Sequence, residues 1–104
     1  MLDESTLDEI IRRIVEVAHP EKIILFGSAA RGDLKAHSDI DLLVVKDDSD
    51  PWTVIGDIYG NLRGVGVGVD AIVVTPAQVE RYKDSHALVI KPALQEGRVI
   101  YEAA

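Results

Sequence analysis

Between Leu25 and Val45 the chain reads LFGSAARGDLKAHSDIDLLVV, and its few polar residues stand where they can do chemistry. An apolar run, Ile23 to Phe26, ends in Gly27-Ser28. A second, Leu42 to Val45, is opened by Asp39-Ile40-Asp41. Residues two apart on a strand project to the same side, so this spacing puts both carboxylates on one face. At roughly 6 to 7 Å and an effective dielectric near 20, two unpaired anions repel by about 2 to 3 kcal/mol. A divalent cation turns that repulsion into a ligand set, because hard ions such as Mg²⁺ select carboxylate oxygen. Taken alone, Asp39 and Asp41 also fit a solvated strand end. Gly27-Ser28 upstream and a third acid, Asp70, on a later valine-rich run favour the metal reading. An EF-hand loop is excluded, since Leu42 to Val45 supplies no further side-chain ligand.

The elements around these residues follow from periodicity and caps. Leu7, Ile10, Ile11, Ile14, Val15 and Ala18 fall at helical spacing, and Thr6 with Glu9 reads as a capping box, so a helix is expected over 7–18. His19-Pro20 ends it. A short strand follows over 21–26, and Gly27-Ser28 turns out of it into a helical segment, Ala29 to Arg31, closed by Gly32. Asp39 to Val45 forms the second strand. Asp50-Pro51 reads as N-cap and first helical residue of a helix reaching about Leu62, with Trp52, Ile55, Tyr59 and Leu62 inward.

Val65, Val67 and Val69 alternate with Gly64, Gly66, Gly68 and Asp70, and this period-two pattern predicts a third strand continuing through Val74. In that register Gly66 and Gly68 share the face of Asp70 and leave room for a nucleotide or a bulky acceptor. A second reading makes these glycines a turn before a strand that starts near Val67. Thr75-Pro76-Ala77-Gln78 begins another helix by cap, proline and capping box. Pro92 splits the region from Arg81 to Gln95 into two helical pieces, and Arg98 to Tyr101 closes the sheet. The result is an α/β (α+β) domain spanning 1–104, a small mixed sheet of about four strands with helices mainly on one face. Asp39, Asp41 and Asp70 can then meet at the other.

Composition narrows the partners. A net charge of −7 sets the chain against a polynucleotide of its own sign, so long nucleic acid is not an expected ligand, whereas a small anion carried with magnesium is. The longest apolar runs have strand length, and no membrane span or signal segment is visible. The chain contains no cysteine, which excludes disulfides and thiolate metal sites. A cytoplasmic location is expected. His19, His37 and His86 show no ligand spacing. Asp47, Asp48 and Asp50 read as a solvated, capping loop. Gly56 and Gly60, four apart on the third helix, fit close helix packing or a partner contact.

Gly27-Ser28, ten residues, Asp39, one residue, Asp41 and then Asp70 on a later strand resembles the nucleotidyltransferase superfamily that includes DNA polymerase beta. Within it, GSAARGD, SDIDLLVV and VDAIVV in a short chain look like the minimal nucleotidyltransferases. Many of those are MntA-type antitoxins paired with HEPN-type ribonuclease toxins. The resemblance implies the polymerase beta-like fold and transfer of a nucleoside monophosphate, AMP from ATP, to a hydroxyl. Gly27 and Ser28 then receive the triphosphate, Arg31 contacts a phosphate or makes a salt bridge, and Asp39 and Asp41 bridge two Mg²⁺ ions. Asp70 completes the second metal site and assists the acceptor's deprotonation. The acceptor implied is a tyrosine on a HEPN-type toxin.

Two other readings stand beside it. In one the chain is a binding module that neutralises a partner by covering it; in the other it is a subunit modifying a small molecule. No separate acceptor-binding domain is visible, so a second protein or a homo-oligomer is expected to supply those contacts.

Overall fold

Four strands in the spatial order β3-β2-β1-β4 form the sheet: β1 (Lys22–Phe26), β2 (Ile40–Val45), β3 (Val69–Val74) and β4 (Arg98–Glu102). The computed structural model describes residues 3–32, 39–47, 50–85 and 90–104. β1 runs antiparallel to β2 and β4, whereas β2 and β3 are parallel. A parallel pair needs a crossover, which α3 (Pro51–Asn61) provides. The other helices are α1 (Glu4–Ala18), α2 (Gly27–Arg31), α4 (Pro76–Tyr82) and α5 (Ile90–Glu96). The sheet is mixed and the fold α+β.

Both long helices lie on one face. There Leu7, Ile10 and Ile14 of α1 and Val54 and Ile58 of α3 cover Ile23, Leu25, Ile40, Leu42 and Val44. The opposite face is also covered: Ile90 and Ala93 of α5 pack on Ile24, Leu43, Val45 and Val74, with Val79 and Tyr82 of α4 beside them. This explains the unbroken apolar run of β2. A central strand buried on both faces has no polar side to alternate with.

Local sequence accounts for most helix ends, with some shifts from expectation. Asp50 caps α3 by accepting from the Trp52 amide at 3.1 Å, and Thr75 with Gln78 forms the capping box of α4. Helix α1 starts earlier than expected, at Glu4. Its cap is Asp3, whose carboxylate accepts from the Ser5 amide at 3.1 Å, while Glu9 is held by Arg12 and Arg13 instead of closing a box with Thr6. The inward residues of α3 are Val54, Ile58 and Leu62; Trp52 is 82% exposed. The third strand begins at Val69. Gly64 and Gly66 have φ of 79° and 94°, a left-handed turn that β-strand geometry excludes, so the turn reading of the glycines holds and the strand expected from Val65 does not. Two helices do occupy the region around Pro92, but Pro92 does not divide them: α4 ends at Tyr82 and Pro92 sits in the first turn of α5, where a proline is tolerated; 86–89, His37 and Asp48 lie outside the described residues. Among the described residues no atom lies within 4 Å of where a Cβ on Gly56 or Gly60 would stand, so no described helix packs closely on them.

Polar contacts tie the helices to this frame. Arg13 of α1 donates to the carbonyls of Asn61 and Arg63, and Asn61 donates back to the Arg13 carbonyl at 2.8 Å, which closes the C-terminal end of α3. On the open edge of the sheet, the Tyr59 hydroxyl accepts from the Ala71 amide at 2.9 Å. Gly97, between α5 and β4, leaves no room for a side chain: a Cβ there would overlap the Ala93 carbonyl and the Ile24 side chain.

Two predictions follow from packing and charge. Gly97→Ala should lower the unfolding free energy by about 1 to 3 kcal/mol in denaturant titration, because the obstructing carbonyl cannot move aside cheaply. Glu9 is held down to about 2, first by Arg12 and then by Arg13. A depressed carboxylate contributes stability above its unfolded pKa, 4.5 here, and loses it as pH falls through the folded value. Glu9→Gln should therefore flatten the loss of stability between about pH 4.5 and 2 in acid-unfolding curves.

Candidate active site

Parallel pairing of β2 with β3 sets Asp41 directly beside Asp70, one residue pair into the ladder from Ile40 and Val69. Both side chains leave the sheet on the face of Leu43 and Val45, beyond the part that α5 covers. Asp39 stands just before β2. The Ile40 amide donates to the Gly68 carbonyl at 2.9 Å, so the ladder extends to the residues flanking the acids. On the other side of β2, Phe26 pairs with Asp41, and the chain turns there into α2. The sheet thus brings Gly27, Asp39, Asp41, Gly68 and Asp70 to one end.

Two glycines make room for two of the acids. A Cβ on Gly27 would overlap the Asp41 carboxylate, and one on Gly68 would overlap that of Asp39. Gly27 also needs its freedom of backbone, with φ of 71° at the entry to α2. The space over Gly68, expected to stay open for a nucleotide or acceptor, is taken by Asp39.

The charges act on one another. Asp41 is partly buried, and its carboxyl is raised above the ordinary carboxylate value first by burial, then by the negative charges of Asp70 and Asp39; Arg31 opposes the rise. Asp39 and Asp70 are exposed. Among the described residues no three acidic, histidine or cysteine side chains are arranged to hold a metal ion. What is assembled is a pair, Asp41 with Asp70, and a flanking third acid.

Of the expected phosphate residues, Gly27 and Ser28 form the first turn of α2 and are half-buried. Gly32 closes that helix with φ of 80°, as a left-handed cap. Arg31 lies at the end of α2, forms an ion pair with Glu96 of α5 at 3.6 Å and is close enough to Asp41 to lower its pKa. Both expected roles of Arg31 therefore draw on one position, with the salt bridge formed. Reading the sequence missed Gly68 as the seat of Asp39 and Tyr59 as the hydrogen-bond partner of β3. Only the pairing of β2 with β3, and of α3 with β3, reveals them.

Residues 8–104 match the family model described as polymerase beta, nucleotidyltransferase. A Methanocaldococcus jannaschii protein named "putative protein adenylyltransferase" is 41% identical over 81 residues, 78% of each chain. Among solved structures, a mutant of the toxin-antitoxin MntA-HpeT superposes with a TM-score of 0.65 at 16% identity, covering 98% of this chain and 75% of that one. The Shewanella oneidensis complex of a tri-AMPylated HEPN toxin with its MNT antitoxin gives 0.56 at 16% identity, covering 98% and 74%. At those identities the superpositions speak for the fold; the family rests on the match over nearly the whole chain. With the acids of β2 and β3 paired beside the Gly27-Ser28 turn, the chain belongs to the polymerase beta nucleotidyltransferase family.

Proposed function

We propose that this nucleotidyltransferase moves AMP from ATP, with Mg²⁺, to a hydroxyl on a partner protein, and that the partner is a HEPN-type toxin for which the chain is the antitoxin. The observation that carries the reading is the side-by-side placement of Asp41 and Asp70, with Asp39 alongside, at the end of β1 where Gly27 and Ser28 turn into α2. The adenylyltransferase relative and the toxin-antitoxin neighbours support the choice of AMP and of partner.

The donor chemistry suits a hard cation: Asp70 and Asp39 both raise the Asp41 carboxyl, and oxygen is the donor that Mg²⁺ selects. Asp39, Asp41 and Asp70 would hold two Mg²⁺ ions between them. Bound there, the metal would neutralise the triphosphate and make the acceptor hydroxyl more acidic. The chain's own residues position the reactants. Gly27 and Ser28, with the amides of the first turn of α2, receive the phosphates of ATP. Asp70, the exposed member of the pair, takes the proton of the incoming hydroxyl. The bond from the acceptor oxygen to the α-phosphorus forms, the bond to the β-phosphate oxygen breaks, and pyrophosphate leaves.

Incubation with a HEPN-type protein, Mg²⁺ and ATP labelled at the α-phosphate should label the HEPN-type protein, whereas label at the γ-phosphate should not transfer. Chelation of the metal should abolish labelling, and Asp41→Asn or Asp70→Asn should slow it by about a hundredfold or more. A tight complex that stays unlabelled under every metal would overturn transfer in favour of neutralisation by covering. Without metal the same acids only repel, so Asp41→Asn should stabilise the fold in chelator by on the order of 1 kcal/mol, read as a higher melting temperature. An unchanged or lower melting temperature would remove the electrostatic basis of the site.

A further inference from the structure

Gly68 is a glycine without a backbone reason. Of the glycines before β3, Gly64 and Gly66 have left-handed φ angles and Gly68 does not, so any residue could follow its backbone path. Its hydrogen bond is made by the carbonyl, which accepts from Ile40 and needs no special side chain. What excludes a side chain is the Asp39 carboxylate, which fills the place where a Cβ would stand. The three atoms nearest that place, Oδ1, Cγ and Cβ, all belong to Asp39, and its carboxylate makes the close contacts. Asp39 itself lies outside β2, in an exposed position, where neither strand pairing nor burial fixes its rotamer.

We propose that Gly68 is a positioning residue for the nucleotidyl transfer, holding no substrate itself and acting through Asp39. The missing side chain gives the Asp39 carboxylate a seat beside β3, next to Asp41 and Asp70, and any larger residue moves that carboxylate off it. This inference rests on the reading of Asp39 as a metal-binding residue, and deepens it. Because the obstructing atoms belong to one short side chain and the backbone is unstrained, Gly68→Ala is expected to fold, with the carboxylate giving way. Metal binding bears the consequence: an acid turned aside is a ligand misplaced.

A double-mutant cycle over Gly68→Ala and Asp39→Ala tests this in the full chain, with melting in chelator and Mn²⁺ binding in the presence of ATP as readouts, followed by labelling rates against Mg²⁺ concentration. Gly68→Ala should not lower the melting temperature in chelator, since the displaced charge leaves Asp41 and Asp70, but should weaken Mn²⁺ binding about tenfold. It should raise the Mg²⁺ concentration for half-maximal labelling by a similar factor, with a smaller change in the rate at saturating Mg²⁺. In the Asp39→Ala background, Gly68→Ala should produce none of these losses. Equal losses in both backgrounds, or wild-type Mn²⁺ binding by Gly68→Ala, would overturn the proposal. The melting and Mn²⁺ arms do not require turnover. A chain that labels no partner yet shows the coupling would refute the transfer reading while leaving the seat of Asp39 in place.

Discussion

Two negative charges held side by side by a parallel ladder are the constraint on which this structure turns. Asp41 and Asp70 occupy matched positions on β2 and β3, and their separation is dictated by strand spacing, not by the preference of the side chains. Left to themselves the carboxylates would diverge. They are kept as neighbours because the residues behind them, Leu42 to Val45 and Ala71 to Val74, are committed to the ladder and to apolar layers on both faces. The repulsion is small beside the free energy of burying those side chains, so the sheet imposes the arrangement.

β2 therefore has two ends with different tasks. From Leu42 onward every residue is buried, and the strand is a structural beam; at its start Ile40 stays in the core while Asp41, and Asp39 just before the strand, reach toward solvent at the candidate site. The same division recurs on β1, whose buried Ile23 to Leu25 lead to the turn at Gly27. Rigid elements position the acids and the turn, and the exposed remainder leaves the site accessible. An overall charge of −7 makes local charge compensation at that end a requirement for any anionic substrate. Arg31, paired with Glu96, also acts on Asp41 and is the cation whose charge opposes the rise of that carboxyl.

Much of this was legible before any coordinates. The helices that announce themselves by local chemistry, Asp50-Pro51 for α3 and Thr75-Pro76 with Gln78 for α4, start where their caps say, because capping is decided within a single turn. The motif residues were legible for the same reason: Gly27-Ser28 and Asp39-Ile40-Asp41 each follow or open an apolar run. Misreadings arose where two local patterns competed. Glu9 could close a box with Thr6 or pair with arginines one turn on, and the arginines win while Asp3 takes the cap. The valine and glycine alternation before Asp70 imitates a strand, yet the left-handed φ angles of Gly64 and Gly66 are incompatible with one. Trp52 fell on the wrong side because helical phase was judged from large residues, while Val54 and Ile58 set the buried face. The seats of Asp39 and Asp41 over glycines depend on pairing between distant segments, which no local pattern encodes.

The crossover through α3 has a consequence for how the activity comes into being. Asp41 is synthesised before α3 and Asp70 after it, so on an emerging chain the first acid has no neighbour until β3 has been made and has paired with β2. Nascent or nicked chains lacking β3 would contain the Gly27-Ser28 turn and two of the three carboxylates and yet lack the pair. The pair therefore exists only in the completed ladder, and no fragment that stops short of β3 can carry it.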